Sequence, residues 1–115
     1  MTEKHYAEIV LPFGDGDYKF CLTFQDVADW EERNERRSLF ATFNDMVCNR
    51  AGLLSDVRSI VHMGLIGGGM SPNDATAMVR TYVERRPISE TLPLAVAIME
   101  AAFLGNDEYR ATKGE

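Results

Sequence analysis

The strongest hydrophobic pattern in the chain lies between residues 54 and 86, where two apolar stripes follow one another. Both repeat at a spacing near 3.6 residues, which is typical of one face of an amphipathic helix. The first stripe comprises Leu54, Val57, Val61 and Leu65, and the second comprises Ala75, Met78, Val79, Tyr82 and Val83. The pattern predicts two consecutive helices around which the rest of the chain is organised.

The junction between these two helices carries a stop signal followed by a start signal. Gly67-Gly68-Gly69 ends the first helix, because glycine accepts the left-handed backbone conformation of a helix C-cap. Ser71 can cap the free N–H groups of the second helix, and Pro72 suits its first position. We therefore interpret the three glycines as a hinge and cap, and Ser71 as an N-cap.

Residues 6–13 and 18–24 alternate between apolar and polar positions, which predicts two β-strands. Gly14-Asp15-Gly16-Asp17 between them is a turn sequence, so we predict a β-hairpin in which Phe13 pairs with Tyr18. The other pairs of this register are Leu11–Phe20 and Ile9–Leu22. Pro12 indicates that its strand has an unpaired edge. Such an edge can add a strand from a partner or from a second copy of the chain.

The remaining segments predict further helices. Thr23-Phe24-Gln25-Asp26 is typical of a capping box, and Ser38 begins a short helix that Gly52 closes. A last helix has Ser89 as a candidate cap and ends at Gly105-Asn106. Its expected inward residues are Leu92, Val96, Met99 and Phe103. The predicted fold is α+β, an N-terminal β-hairpin packed on a bundle of four to five α-helices. We expect one domain over residues 1–106 and a frayed polar tail over residues 107–115.

Composition narrows the environment and the class of partner. The chain has 115 residues and a formal net charge of −6, which disfavours general binding to nucleic acid. It has no continuous apolar run near 18 residues, and its first residues lack a signal-peptide pattern, so we expect no membrane span and a cytoplasmic location. Cys21 and Cys48 lie among apolar neighbours and are expected to be buried free thiols.

No catalytic template fits the sequence. His62 has no acidic residue three or four positions away, which favours a half-buried structural histidine over a metal ligand. Pairing of His62 with Cys21 or Cys48 stays open. The glycine run ends a helix and lacks a following lysine, so it does not match a phosphate-binding loop. We therefore predict a protein that is not an enzyme and that needs no cofactor or metal.

Two neighbouring helices also raise the alternative of a helix-turn-helix regulator that binds DNA or another regulator. The basic residues Arg80, Arg85 and Arg86 lie late in the second helix, whereas recognition helices use their N-terminal end. A basic face at the start of that helix would favour this alternative. A continuous apolar groove or a strand-swapped assembly would favour a protein-binding role instead.

The order of these features resembles the small tail assembly chaperone family of gene transfer agents and siphophage-type prophage tails. The segments that carry the resemblance are EIVLPFGDGDYKFCLTFQDVADWEE, SLF, SDVRSIVHMGLIGGG, SPNDATAMVRTYV and LPLAVAIMEAAFLG, which together span roughly residues 7–105. The polar insertion ERNERRS and the large Trp30 depart from the pattern. The resemblance implies a non-enzymatic protein that coats the tape-measure protein before the tail-tube protein polymerises around it.

Under this resemblance, the partners are the tape-measure protein and the tail-tube protein, and a homo-oligomer through the hairpin edge is a further option. We predict that apolar residues beside the glycine junction and along the hairpin edge contact the partner. The predicted contact residues are Leu65, Ile66 and Met70 near the junction, and Val10 and Pro12 on the edge.

Overall fold

A computed structural model describes residues 5–49 and 54–113 of the chain, with side chains described up to residue 111. It confirms the α+β architecture, with an N-terminal antiparallel hairpin followed by helices. The elements are β1 (Ile9–Phe13), β2 (Gly16–Phe20), α1 (Phe24–Arg33), α2 (Leu39–Cys48), α3 (Leu54–Gly67), α4 (Pro72–Tyr82), α5 (Ile88–Leu104) and α6 (Asp107–Lys113). The described residues thus hold one helix more than the sequence predicts.

The hairpin forms where predicted, but its register differs by two residues. Phe13 pairs with Gly16 rather than with Tyr18, so the turn consists of Gly14 and Asp15 alone. Gly14 has a φ of 63°, and glycine at the first central position is the requirement of a type II′ turn. A shift of two residues preserves the alternation of faces, so Ile9, Leu11 and Phe13 still face the helices.

The core is assembled around α3, which packs against α4, α5 and β2. The predicted stripe is buried at Val57, Val61 and Leu65, whereas Leu54 is exposed. The largest fully buried apolar side chains of the described residues come from β2, α1, α2, α3, α5 and the residue pair between β2 and the α1 cap: Trp30, Phe20, Leu22, Leu39, Ile60, Leu65, Ile98 and Met99. Every element from β1 to α5 contributes at least one partly or fully buried apolar residue to this cluster.

Local capping signals set most helix starts. Thr23 forms the predicted capping box with Asp26, and Ser38 and Ser71 accept hydrogen bonds from backbone N–H groups three residues ahead. The prediction for Ser89 is wrong, because α5 begins one residue earlier, at Ile88, after Pro87. Gly52, the predicted end of α2, lies outside the described residues.

The chain after α5 is helical, which corrects the predicted frayed tail for residues 107–113. Asn106 begins this extra helix, since its side-chain oxygen accepts a hydrogen bond from Tyr109 N at 2.8 Å. Its amide group donates to the backbone oxygens of His5 and Glu8, at 3.1 and 2.8 Å. The junction between α5 and α6 is therefore tied to the turn that precedes β1.

A buried ion pair connects the α1–α2 loop to α3. Arg37 donates to the carboxylate of Asp56, whose side chain is almost fully buried, and its guanidinium lies 5.2 Å from the centre of the Trp30 ring. Trp30 in turn donates to Ser59 Oγ at 2.9 Å. Glu35 and Arg36, the two residues directly before Arg37, have positive φ angles of 62° and 61°.

The two cysteines differ in burial. Cys21 is buried as predicted, but Cys48, at the end of α2, is exposed.

The helical segment over residues 88–111 is long and apolar enough to cross a membrane by length and composition, a criterion that core helices also meet. In this fold, α5 packs against α3 and α2, and Ala95, Ile98 and Met99 lie in the core.

Candidate functional site

The two edges of the hairpin differ in how they are covered. In an antiparallel pair, every second residue of a strand points its backbone N–H and carbonyl groups away from the partner strand. On β2, the outward backbone groups belong to Asp17, Lys19 and, just beyond the strand, Cys21. Cys21 N donates to Gly64 O at 3.0 Å, and the turn after α3 lies against the Lys19 carbonyl. The β2 edge is therefore closed by the end of α3 from Lys19 to Cys21.

The glycine run makes this closure possible. A Cβ atom on Gly67 would lie 2.0 Å from the Cys21 carbonyl oxygen, and one on Gly68 would lie 2.0 Å from that of Lys19. Only glycine lets the two backbones approach so closely. Gly69 ends the turn with a φ of 116°, as a helix cap requires. The cap is confirmed, while Gly67 and Gly68 are packed against β2 and do not form an open hinge.

The outer edge of β1 is open along its middle. Glu8 is satisfied, since its N–H donates to His5 O at 3.0 Å and its carbonyl accepts from Asn106. By the same alternation, the N–H and carbonyl of Val10 and the carbonyl of Pro12 point away from β2. Pro12 has no N–H to leave unpaired. Within the described residues, this short stretch is the uncovered part of the β1 edge.

A groove of about 480 Å³ runs beside this edge, between β1 and the C-terminal end of α5 with α6. Its β1 side includes Ile9, Val10 and Leu11, and its helical side includes the small residues Ala97 and Ala101. Its charged residues are mostly acidic: Glu8, Glu100, Asp107 and Glu108, against Arg110. Glu8 lies 3.5 Å from Lys19, and Asp107 lies 3.5 Å from Arg110. We call this feature the β1 groove.

The predicted contact residues do not form one surface. Leu65 is only 1% exposed, so the prediction that it contacts a partner is wrong: it is a core residue of α3. Ile66 and Met70 are partly buried against the core near the closed β2 side. Val10 and Pro12 are exposed on the open edge, and Val10 lines the β1 groove. Of the predicted set, the structure keeps the two edge residues together.

His62 is half-buried on α3, as predicted, and its Nε2 shares a hydrogen bond of 3.1 Å with Thr76 Oγ1. It lines a groove of about 430 Å³ together with Asp26 and Asp29. Asp26 is occupied by the cap of α1, and Asp29 accepts from Gln25. Among the described residues, no group of three His, Cys, Asp or Glu side chains is placed to hold a metal ion.

A larger groove of about 550 Å³ lies between α3 and the α4–α5 connection. The charges on its rim are paired, Arg58 with Glu84 at 3.6 Å, and Arg86 with Glu90 at 3.1 Å. Its size does not make it the better candidate, because its described lining residues present neither an unpaired strand edge nor an excess of one charge.

The residues that form the helical side of the β1 groove were not predicted from the sequence. The sequence places Asn106 at the end of the last helix and gives Ala97 and Glu100 no predicted role. Their proximity to β1 depends on contacts between residues about a hundred positions apart, such as Asn106 with Glu8. The one local signal was Asn106 directly after Gly105, which marks a turn with a polar side chain available for capping.

Comparison with known proteins identifies the family. A family described as "Phage tail tube protein, GTA-gp10" matches residues 6–105, which is most of the chain. The chain belongs to this family, and its role is in the tail of a phage or gene transfer agent. No curated protein matches the chain, and no solved structure matches it.

Proposed function

We propose that the chain is a tail assembly chaperone that transiently binds the tape-measure protein, the tail-tube protein or both, without catalysing a reaction. The observation that carries the proposal is the open β1 edge beside an acidic groove, on a chain whose core is already complete. A folded chain with an unpaired strand edge can add a strand from another protein.

The charge of the chain supports transient binding. A net charge of −6 keeps free subunits apart and soluble, and it weakens permanent packing between identical copies. Many copies that each bind weakly can still coat a long partner, because neighbouring sites on one rod raise the effective concentration. Such a coat can be displaced when tube subunits arrive.

The experiment that tests the proposal is affinity purification of the tagged chain from its host during tail production. We expect the tape-measure protein or the tail-tube protein to co-purify, and the same purification from cells without tail production serves as the control. Genes for tail proteins beside the gene of this chain would agree with this result. Recovery of the chain without any tail protein, or with DNA, would contradict the proposal.

A structural subunit of the tail tube is the second candidate, because the family description names a tube protein. This candidate requires many copies of the chain in each finished particle. The regulator alternative has less support, since the exposed first turn of α4 carries Asp74 and no basic residue. Arg86, one of its three candidate basic residues, is paired with Glu90.

A further inference from the structure

We propose that the β1 groove binds an extended, lysine- or arginine-rich segment of another protein, which adds to β1 as a third strand. This inference rests on the proposed function only in so far as the partner is a tail protein. The groove has two independent features that a third strand requires: unpaired backbone groups along one side and room along the other.

The backbone of β1 supplies the hydrogen bonds. Val10 offers one N–H and one carbonyl in the outward direction, and Pro12 offers one carbonyl. An added strand would lie about 4.8 Å from β1 and bond to these groups. Val10 is 56% exposed, so neither its side chain nor its edge is covered within the described structure. Pro12 limits the ladder at one end, and the bonded Glu8 limits it at the other.

The helical wall supplies the room. Ala97 and Ala101 face the groove from α5, and neither carries a side chain large enough to fill the space beside β1. The groove volume of about 480 Å³ falls within the range of clefts that take small ligands and short segments, roughly 300–1,000 Å³. Every second residue of an added strand would point towards these alanines, so small or medium apolar side chains are expected there.

The charge of the groove selects the partner. Four carboxylates and one guanidinium line it, and Glu100 has no ion-pair partner among the described residues. A basic segment is attracted, whereas a second copy of this acidic chain would bring the same carboxylates against each other. The residues of the added strand that do not point towards the alanines are therefore expected to be lysine or arginine.

The test uses the full chain and a synthetic peptide of alternating lysine and valine, acetyl-SKVKVKS-amide. We expect it to bind at low salt and the glutamate counterpart, acetyl-SEVEVES-amide, to bind at least about tenfold more weakly. Binding of the lysine peptide should slow hydrogen exchange at the Val10 amide, which is the signature of strand addition. Equal binding of both peptides, or an unchanged Val10 amide, would overturn the proposal.

Two matched variants locate the site. Glu100→Lys should weaken binding of the lysine peptide about tenfold, while Glu32→Lys makes the same charge change on the exposed face of α1 and should leave affinity within about twofold. An equal loss in both variants would show only general attraction and contradict a specific groove. Protection of the Val10 amide in a dimer without peptide would likewise overturn the proposal in favour of self-association. If the chain captures tail proteins but fails these peptide tests, the proposal for the β1 groove is wrong and the proposed function stands.

Discussion

At the scale of single residues, Gly67 and Gly68 must be glycine because the hairpin backbone lies directly against them. Their Cβ positions would fall 2.0 Å from the carbonyl oxygens of Cys21 and Lys19. We predict that Gly67→Ala or Gly68→Ala lowers the free energy of unfolding by about 2–3 kcal/mol, because packed backbone must move. Gly16→Ala is the control, since its Cβ would meet only a side-chain atom at 4.0 Å. Urea unfolding measures all three. Equal stability of the three variants would contradict the close approach of α3 to β2.

The ion pair between Arg37 and Asp56 is a second residue-scale test. Removing Arg37 leaves a buried carboxylate without its charge partner, so we expect Arg37→Ala to lower the free energy of unfolding by about 3 kcal/mol. Arg86→Ala removes an exposed pair with Glu90 and should cost less than about 1 kcal/mol. Thermal unfolding of both variants gives the comparison. Similar losses in the two would show that Asp56 does not depend on Arg37.

The two cysteines should differ in reactivity. Burial raises the pKa of the Cys21 thiol, with smaller contributions from Glu8 and Asp26, and it also blocks access of reagents. Cys48 is exposed. Titration with a thiol reagent at pH 8 should therefore modify one cysteine in the folded protein and both in denaturant, with Cys48→Ala removing the fast phase. Rapid modification of Cys21 in the native state would contradict its burial.

At the scale of elements, the α1–α2 loop holds two consecutive residues in the left-handed region. Glu35 has a φ of 62°, a conformation that costs a side-chain-bearing residue about 1–2 kcal/mol. We expect Glu35→Gly to stabilise the protein by up to about 1 kcal/mol, after the entropy of glycine in the unfolded chain is subtracted. Glu32→Gly, inside α1, should instead destabilise by about 1 kcal/mol. A loss of stability for Glu35→Gly comparable with that of Glu32→Gly would refute the positive φ.

Element starts could be predicted because their causes are local. Thr23, Ser38 and Ser71 cap the backbone within three residues of themselves, and the structure confirms all three. The hairpin register could not be predicted in the same way. Turns of two and four residues both keep the apolar residues on one face, so the alternation of residues 6–13 and 18–24 does not distinguish them. Helix α6 was missed because its start depends on Asn106, which is positioned by the distant Glu8.

At the scale of the whole molecule, only half of the candidate site was visible in the sequence. Pro12 indicated an open strand edge, because proline within a strand pattern favours an edge. The wall formed by Ala97 and Glu100 arises from the tertiary arrangement of α5, which no local pattern reports. The prediction of Leu65 as a contact residue was wrong for a related reason. Leu65 is apolar and lies beside glycines, but these two facts do not show that its side chain points from α3 into the core.

The two roles that the family leaves open place different demands on the contacts of the chain. A tube subunit must make large, permanent contacts with several copies of itself, and obligate interfaces bury about 2,000 Å² or more. A chaperone needs only a site that another protein occupies for a time, and the acidic β1 groove is our candidate for that site. The difference concerns the fate of the chain after assembly and can be measured directly.

The most direct measurement is quantitative mass spectrometry of purified, tail-complete particles and of the lysate from which they came. We expect the chain to be abundant in the assembling lysate and absent from finished particles, in which tail-tube protein is a major component. The capsid protein provides the internal standard for particle number. Many copies of this chain in every finished particle would contradict a transient role and establish it as part of the tail.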